Sequence, residues 1–328
     1  MLFDNETPYP AHLIRGILPK DEMLGSLVVR VTYDVAEIES GGHELLPAAE
    51  QVWKTSPGPW EGPRGDMPGD ELFYRGGVDL FVFGHARAPG GVPVEQLDVT
   101  IQIADKFTST VRVIGDRVWE KRALGKPVIG APKPFREMPL DFERAFGGSG
   151  EWDQLEISFP THPNGRGYAL DLKSLVGCPL PNLEHPDRLI QRPEDQPEPV
   201  GLSVPPIGYG PIAERGIEFD PKSGMMTHLD PLYFNQAFPE WVAPKSVAPG
   251  DRLTLTGVRE EGPLELFLPE APVFGRLTFD DKVIEQTPPI DQIGLEPDER
   301  RAFVTYRWPF RYRFIPEQKR RFELLPKA

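Results

Sequence analysis

The sequence predicts a mainly β protein: antiparallel sheets packed as a sandwich or barrel, with long proline- and glycine-rich loops and little helix. Three observations carry this. Apolar residues recur with period two in several short runs, the signature of strands with one face inward. The 32 glycines and 39 prolines among 328 residues exceed the usual level of about 12% and lie between those runs. No stretch shows the 3.6-residue periodicity of a sustained amphipathic helix.

Taken in order, Val29, Val31, Tyr33 and Val35 alternate with Arg30, Thr32 and Asp34, which predicts a strand with one face buried and one solvated. Leu80–Phe83 is a short apolar strand, and Val99, Ile101 and Ile103 make another inward face. Thr110–Ile114, Gly115-Asp116 and Arg117–Trp119 predict a hairpin, with Gly115 supplying positive φ in a two-residue turn. Pro139 to Phe146 is the nearest approach to a helix. Eleven prolines fall between Pro179 and Pro231. Proline lacks an amide donor and fixes φ, so this stretch should run extended and loop-rich across a β scaffold, packed down by Tyr209, Phe219, Tyr233 and Phe234. Strands resume with Leu253 and Leu255, turn at Glu260-Glu-Gly262, and return with Leu264, Leu266 and Leu268; Arg276–Phe279 and Ala302–Tyr306 follow. Residues 1–328 read as a single domain with an N-terminal β region (1–150), a loop-rich middle (151–248) and a C-terminal β region (249–328).

The net charge of −14 disfavours nucleic-acid backbones. Charge is uneven, however: from Arg300 onward there are nine Lys/Arg and two Glu. There the basic residues interleave with aromatics from Tyr306 to Phe314, which reads as a strand pair with one apolar face or as a docking strip for an acidic partner. A lone Cys178 excludes an internal disulfide and fits a reducing cytoplasm. The N-terminus lacks a signal-peptide pattern and no apolar run spans a bilayer, so a cytoplasmic protein without membrane insertion is expected.

Catalytic patterns are sparse. The six histidines show no metal-ligand spacing, and no Cys-x-x-Cys or His-Glu-x-x-His occurs. Gly147-Gly-Ser-Gly150 matches neither a nucleophile elbow nor a phosphate loop. Fifty acids guarantee carboxylate pairs somewhere, so a carbohydrate-active hydrolase or lyase on a β scaffold stays open as an alternative. No cofactor is expected.

Three loops stand out: Pro139–Gly148, His162–Tyr168 and Leu180–Pro186. Exposed Arg and aromatic side chains are the usual energetic anchors of interfaces. Arg144, Phe146, Trp152, Arg166 and Tyr168 are therefore interaction candidates, with Gly147, Gly148, Asn164, Asn182 and Glu184 completing the set. The same residues also read as structure, the glycines permitting turns, Arg144 meeting an acid and Phe146 lying buried.

The chain resembles a bacterial family of unknown-function domains encoded in type VI secretion gene clusters. The likeness runs over nearly the whole length: Thr7-Pro-Tyr-Pro10, Val28–Thr32, Gly84–Gly90, Val113–Trp119, Pro134–Gly148 (the most specific), Pro163–Gly167, Leu180–Glu184, Asp230–Asn235, Gly250-Asp251 and Tyr306–Trp308. It departs at Gln236–Trp241, where an Ala-Pro-x-Asp-Gln type of run is expected, and between Tyr209 and Arg215, which lacks an expected Trp. With no pentapeptide-repeat extension after Ala328, a stand-alone domain is expected. The resemblance implies a non-enzymatic adaptor/chaperone whose partners are a protein toxin and possibly the secretion spike. A structural accessory of the secretion apparatus is a further alternative.

Overall fold

The computed structural model describes residues 2–17, 22–37, 42–172, 174–205, 209, 212, 215–224, 226–313 and 315–327. The fold is mainly β, with 48% of residues in strands. Among the described residues, twelve strands join one sheet curled into a half-barrel. Its middle is the strand Glu22–Glu37, flanked by Arg301–Arg313 on one side and by His43–Pro47 and Ala11–Ile17 on the other. Ile290–Glu296, Gly77–Val82 and Val242–Pro244 continue past Arg301–Arg313. Beyond His43–Pro47 come Leu264–Phe267, Arg252–Thr256, Gln96–Ile103 and Phe107–Ile114. Strands from both β-rich regions of the sequence thus share one sheet. Most pairs are antiparallel, but Gly77–Val82 runs parallel to Ile290–Glu296, and His43–Pro47 parallel to Leu264–Phe267. A four-stranded sheet sets Leu2–Asn5 parallel to Arg320–Pro326, next to the hairpin Val273–Phe279/Lys282–Gln286.

Several alternating runs face inward as their pattern requires: Val99, Ile101, Ile103, Leu253, Leu255, Leu264, Leu266 and Leu268 are all buried. The central strand differs from expectation. It is buried on both faces, Arg30 and Thr32 included. One face carries Leu27, Val29, Val31 and Tyr33 against Val304, Tyr306 and Trp308, with the hydroxyls of Tyr33 and Tyr306 2.6 Å apart. The other is covered by the segment 48–76, which lays Trp53, Trp60, Met67 and Leu72 across it and supplies charge partners.

Those partners form a sealed ionic network. Arg30 donates to both oxygens of Asp70 at 3.0 Å, to the Lys54 carbonyl at 2.7 Å and to Thr305 at 3.1 Å, under the Trp60 ring. Asp291 takes Arg307 at 2.9 Å, Lys245 at 3.1 Å and Arg75. Arg75 Nε also lies 2.9 Å from Asp79, an ion pair off the line of a hydrogen bond. Desolvation lowers the Arg30 pKa to about 10. Burial pushes Asp291 up, but Arg307, Arg75 and Lys245 outweigh it and hold the carboxyl well below its ordinary range. Arg307 belongs to this network, so in the basic stretch from Tyr306 the expected strand pair with one apolar and one solvated face appears only beyond Trp308, where Pro309, Arg311 and Arg313 are exposed. The stretch itself is a single strand, sealed as far as Trp308 and half exposed beyond; Phe314 lies outside the described residues.

Two local expectations are corrected. No hairpin turns at Gly115-Asp116: Phe107–Ile114 pairs with Gln96–Ile103, while Trp119–Glu120 pairs with Val128–Ile129. Gly115 is required by space, since a Cβ there would run into the Lys133 carbonyl. In the 139–146 segment only the single 3-10 turn Phe142–Arg144 forms. The proline-rich middle does lie on the scaffold, with Val200, Leu202 and Tyr209 in the main core. Phe219, 57% exposed, and Tyr233 stand out from it.

Candidate functional site

The three loops singled out in the sequence meet in one place. Short backbone bridges fix them there. Phe146–Gly147 pairs in parallel with Arg166–Gly167, and Ala145 bridges Leu183. Gly147 adopts φ 153°, and a Cβ there would strike the His162 carbonyl, so this crossing needs glycine. The His162 ring stacks on Phe142, their centroids 3.9 Å apart, and bonds the Phe142 carbonyl at 2.9 Å. Burial lowers the His162 pKa, which favours the neutral ring. Under the loops lies a second, small core of Trp119, Phe146, Phe159, Leu175, Leu180 and Ile190, separate from the main one.

Asn182 is the hub. It is fully buried, and its side-chain amide is bonded on both sides. Oδ1 accepts from Arg144 and from Arg166, each at 3.0 Å. Nδ2 donates to the Ile114 carbonyl at 2.9 Å and to Asp116 at 3.0 Å. Two guanidiniums are thereby held side by side on one neutral oxygen. The nearest carboxylate to both is Asp116, at 3.9 and 3.8 Å, whose side chain is 61% exposed. Burial, then the neighbouring Arg166, lowers the Arg144 pKa. The outer parts of both arginines reach solvent.

The candidates therefore divide. Phe146, Gly147, Gly148, Asn182 and Glu184 are buried and shape the cluster. Glu184 pairs with Arg117 and accepts from the Ile190 amide at 2.7 Å; desolvation raises its pKa. Arg144, Arg166 and Tyr168 are half-buried and Asn164 is exposed, so these four are what the loops present outward. Trp152 lies in the strand Ser149–Trp152 of a separate hairpin, and its side chain lies outside the described residues. Asp116, Arg117 and His162, all essential to the geometry, were not among the candidates. The signal available for Asp116 and Arg117 was their place between two strands, beside the glycine that packing demands.

A polar cleft of about 470 Å³ lies elsewhere, between Val35–Glu37, Arg87, Val258–Glu261 and Pro297–Arg300. Three of its acids are paired: Asp298 with Arg87 at 2.9 Å and with His85 at 2.7 Å, Glu37 with Arg300 at 2.9 Å, Glu261 with Arg259 at 3.5 Å; Glu260 also lines it. Burial pushes Asp298 up, but His85 and Arg87 prevail and hold it below its usual range. Among the described residues the carboxyls raised above their ordinary range are Asp79 and Glu184, both sealed in the interior. No group of three His, Cys, Asp or Glu side chains among them could hold a metal ion.

The profile of an uncharacterized protein family conserved in bacteria, DUF2169, matches residues 21–307. The chain belongs to this family. The matched stretch holds the whole Asn182 cluster and the sealed ionic network; the strands Leu2–Asn5 and Arg320–Pro326 fall outside it. No curated protein and no solved structure matches this DUF2169 member. Among its described residues no helix is long and apolar enough to cross a membrane.

Proposed function

We propose that the protein is a non-enzymatic adaptor/chaperone that binds a type VI secretion effector and helps load it onto the spike. One observation carries this reading beyond the resemblance: the Asn182 hub, which spends a fully buried amide on holding Arg144 and Arg166 at the surface. Holding an arginine in advance lowers the ordering cost of an interface contact, and arginines with aromatics dominate interface energetics. The charge pattern supports the same reading. A glycoside-cleaving site needs a carboxyl kept protonated beside substrate, whereas Asp79 and Glu184 have no access to one.

The test is affinity purification of the tagged protein from its native host under secretion-active conditions, with mass spectrometry of stoichiometric partners. A toxin encoded beside this gene is the expected partner, and Arg144→Ala with Arg166→Ala should reduce its recovery. Recovery unchanged in that double variant would keep the adaptor and remove the Asn182 face. Absence of any specific partner, together with turnover of a polysaccharide, would replace the reading by the hydrolase.

A further inference from the structure

The underside of the small core carries a second surface. Val118, Leu124, Leu172 and Val176 are all exposed there, Leu124 at 90%. Backbone bridges from Trp119 to Val176 and from Val118 to Pro179 hold the two segments together. Between them lies a groove of about 480 Å³ lined by Lys121, Arg122, Lys126, Pro127, Leu172 and Val176. Lys126 is paired with Glu194. Among the described residues Lys121 and Arg122 have no ion-pair partner. An apolar floor with an unneutralised basic rim is unusual on a chain of net charge −14.

We propose that this groove docks an acidic amphipathic segment of the partner protein, with large apolar side chains seated on Leu172 and Val176 and carboxylates meeting Lys121 and Arg122. The inference rests on the adaptor reading for the partner being a protein. Charge decides among occupants. The net charge of −14 opposes an acidic segment in general, and Lys121 and Arg122, unpaired among the described residues, make the groove a place where the local field is attractive, which favours encounter and register there. An anionic bilayer or a second copy of the chain would meet the full net charge as repulsion.

Fluorescence anisotropy of the full chain with a labelled synthetic helix, Leu on one face and Glu on the other, tests this. Saturable binding is expected, with Lys121→Glu/Arg122→Glu and, separately, Leu172→Ser each weakening it at least about tenfold. These three residues are exposed, so the fold is undisturbed. The helix with Lys in place of Glu should not bind. Absence of saturable binding, or equal binding to the variants, overturns the proposal. So does sedimentation of the wild type with phosphatidylglycerol vesicles, or a dimer that Leu172→Ser dissolves. If the peptide fails while the toxin still co-purifies from the host, the adaptor stands and the groove falls. Normal peptide binding without any co-purifying toxin removes the adaptor and leaves the groove.

Discussion

The central sheet and the loop cluster both bury charge, but they finish it differently. In the sheet, Arg30, Arg75 and Arg307 meet Asp70, Asp79 and Asp291 in the interior, and little of that charge reaches solvent. In the cluster, a neutral amide takes the direct contact and one carboxylate, Asp116, stands 3.9 and 3.8 Å off, so Arg144 and Arg166 are oriented with a single shared, exposed acid between them. A closed network ties one strand to another; a half-open one keeps its charge available to a partner. The same residue type serves assembly in one region and display in the other, and the identity of its acceptor decides which.

The largest test of this contrast is Asp291→Ala. Removing the shared acid leaves Arg307 buried without its carboxylate and Arg75 with Asp79 alone, which should cost about 3–5 kcal/mol in urea unfolding followed by tryptophan fluorescence. A loss below about 1 kcal/mol would mean that the network is incidental to the sheet. Gly147→Ala should come next. The new Cβ meets the His162 carbonyl, and a local cost of about 2–4 kcal/mol is expected. Amide exchange at Tyr168 and Phe159 should accelerate while Val31 and Val304 stay protected; acceleration of all four together would merge the two regions into one cooperative unit. Asn182→Ala is smaller, about 1–3 kcal/mol for unsatisfied buried partners, read as loss of protection at the Ile114 amide, which bonds the Asn182 carbonyl.

The finest distinction is in pH. Asp291 is held below its ordinary range, so its contribution is full above its unfolded value of about 3.9 and is lost as pH falls through the folded one. Glu184 is raised by desolvation. Its contribution is therefore full below its unfolded value of about 4.3 and is lost as pH rises through the folded value. Between neutrality and about pH 4, acidification should favour the Glu184 side while the Asp291 contribution stays full. Exchange at Ile190 and Arg307, measured across that window, should diverge; parallel slopes would show that neither carboxyl controls its region.

Much of the β architecture was legible in the sequence because alternation reports directly on burial. Val99-to-Ile103 and Leu253-to-Leu268 needed no distant information. The central strand misled for the same reason: alternation in Val29–Val35 cannot reveal that segment 48–76 will cover the second face. Arg30 between Val29 and Val31, and Arg307 between Tyr306 and Trp308, were the available hints, each a charge with large apolar neighbours on both sides. Their partners lie as many as 281 positions away, beyond any local pattern. In the loops, composition picked out the right segments but not the direction of each side chain. Asn182 and Arg144 are both polar residues near proline or glycine, and only the bridge from Ala145 to Leu183 decides that one is the hub and the other its outward spoke.

The pairing of Glu22–Glu37 with Arg301–Arg313 also sets a timetable. A ribosome makes the first strand early and its neighbour some 270 residues later, about 14–55 s at ordinary elongation rates. Throughout that interval the Arg30 side chain has no Thr305 beside it, and the apolar residues Leu27, Val28, Val29 and Val31 have one flank open. The heart of the molecule is therefore among the last parts to close, and a nascent chain of this kind depends on whatever shields an open strand while translation finishes.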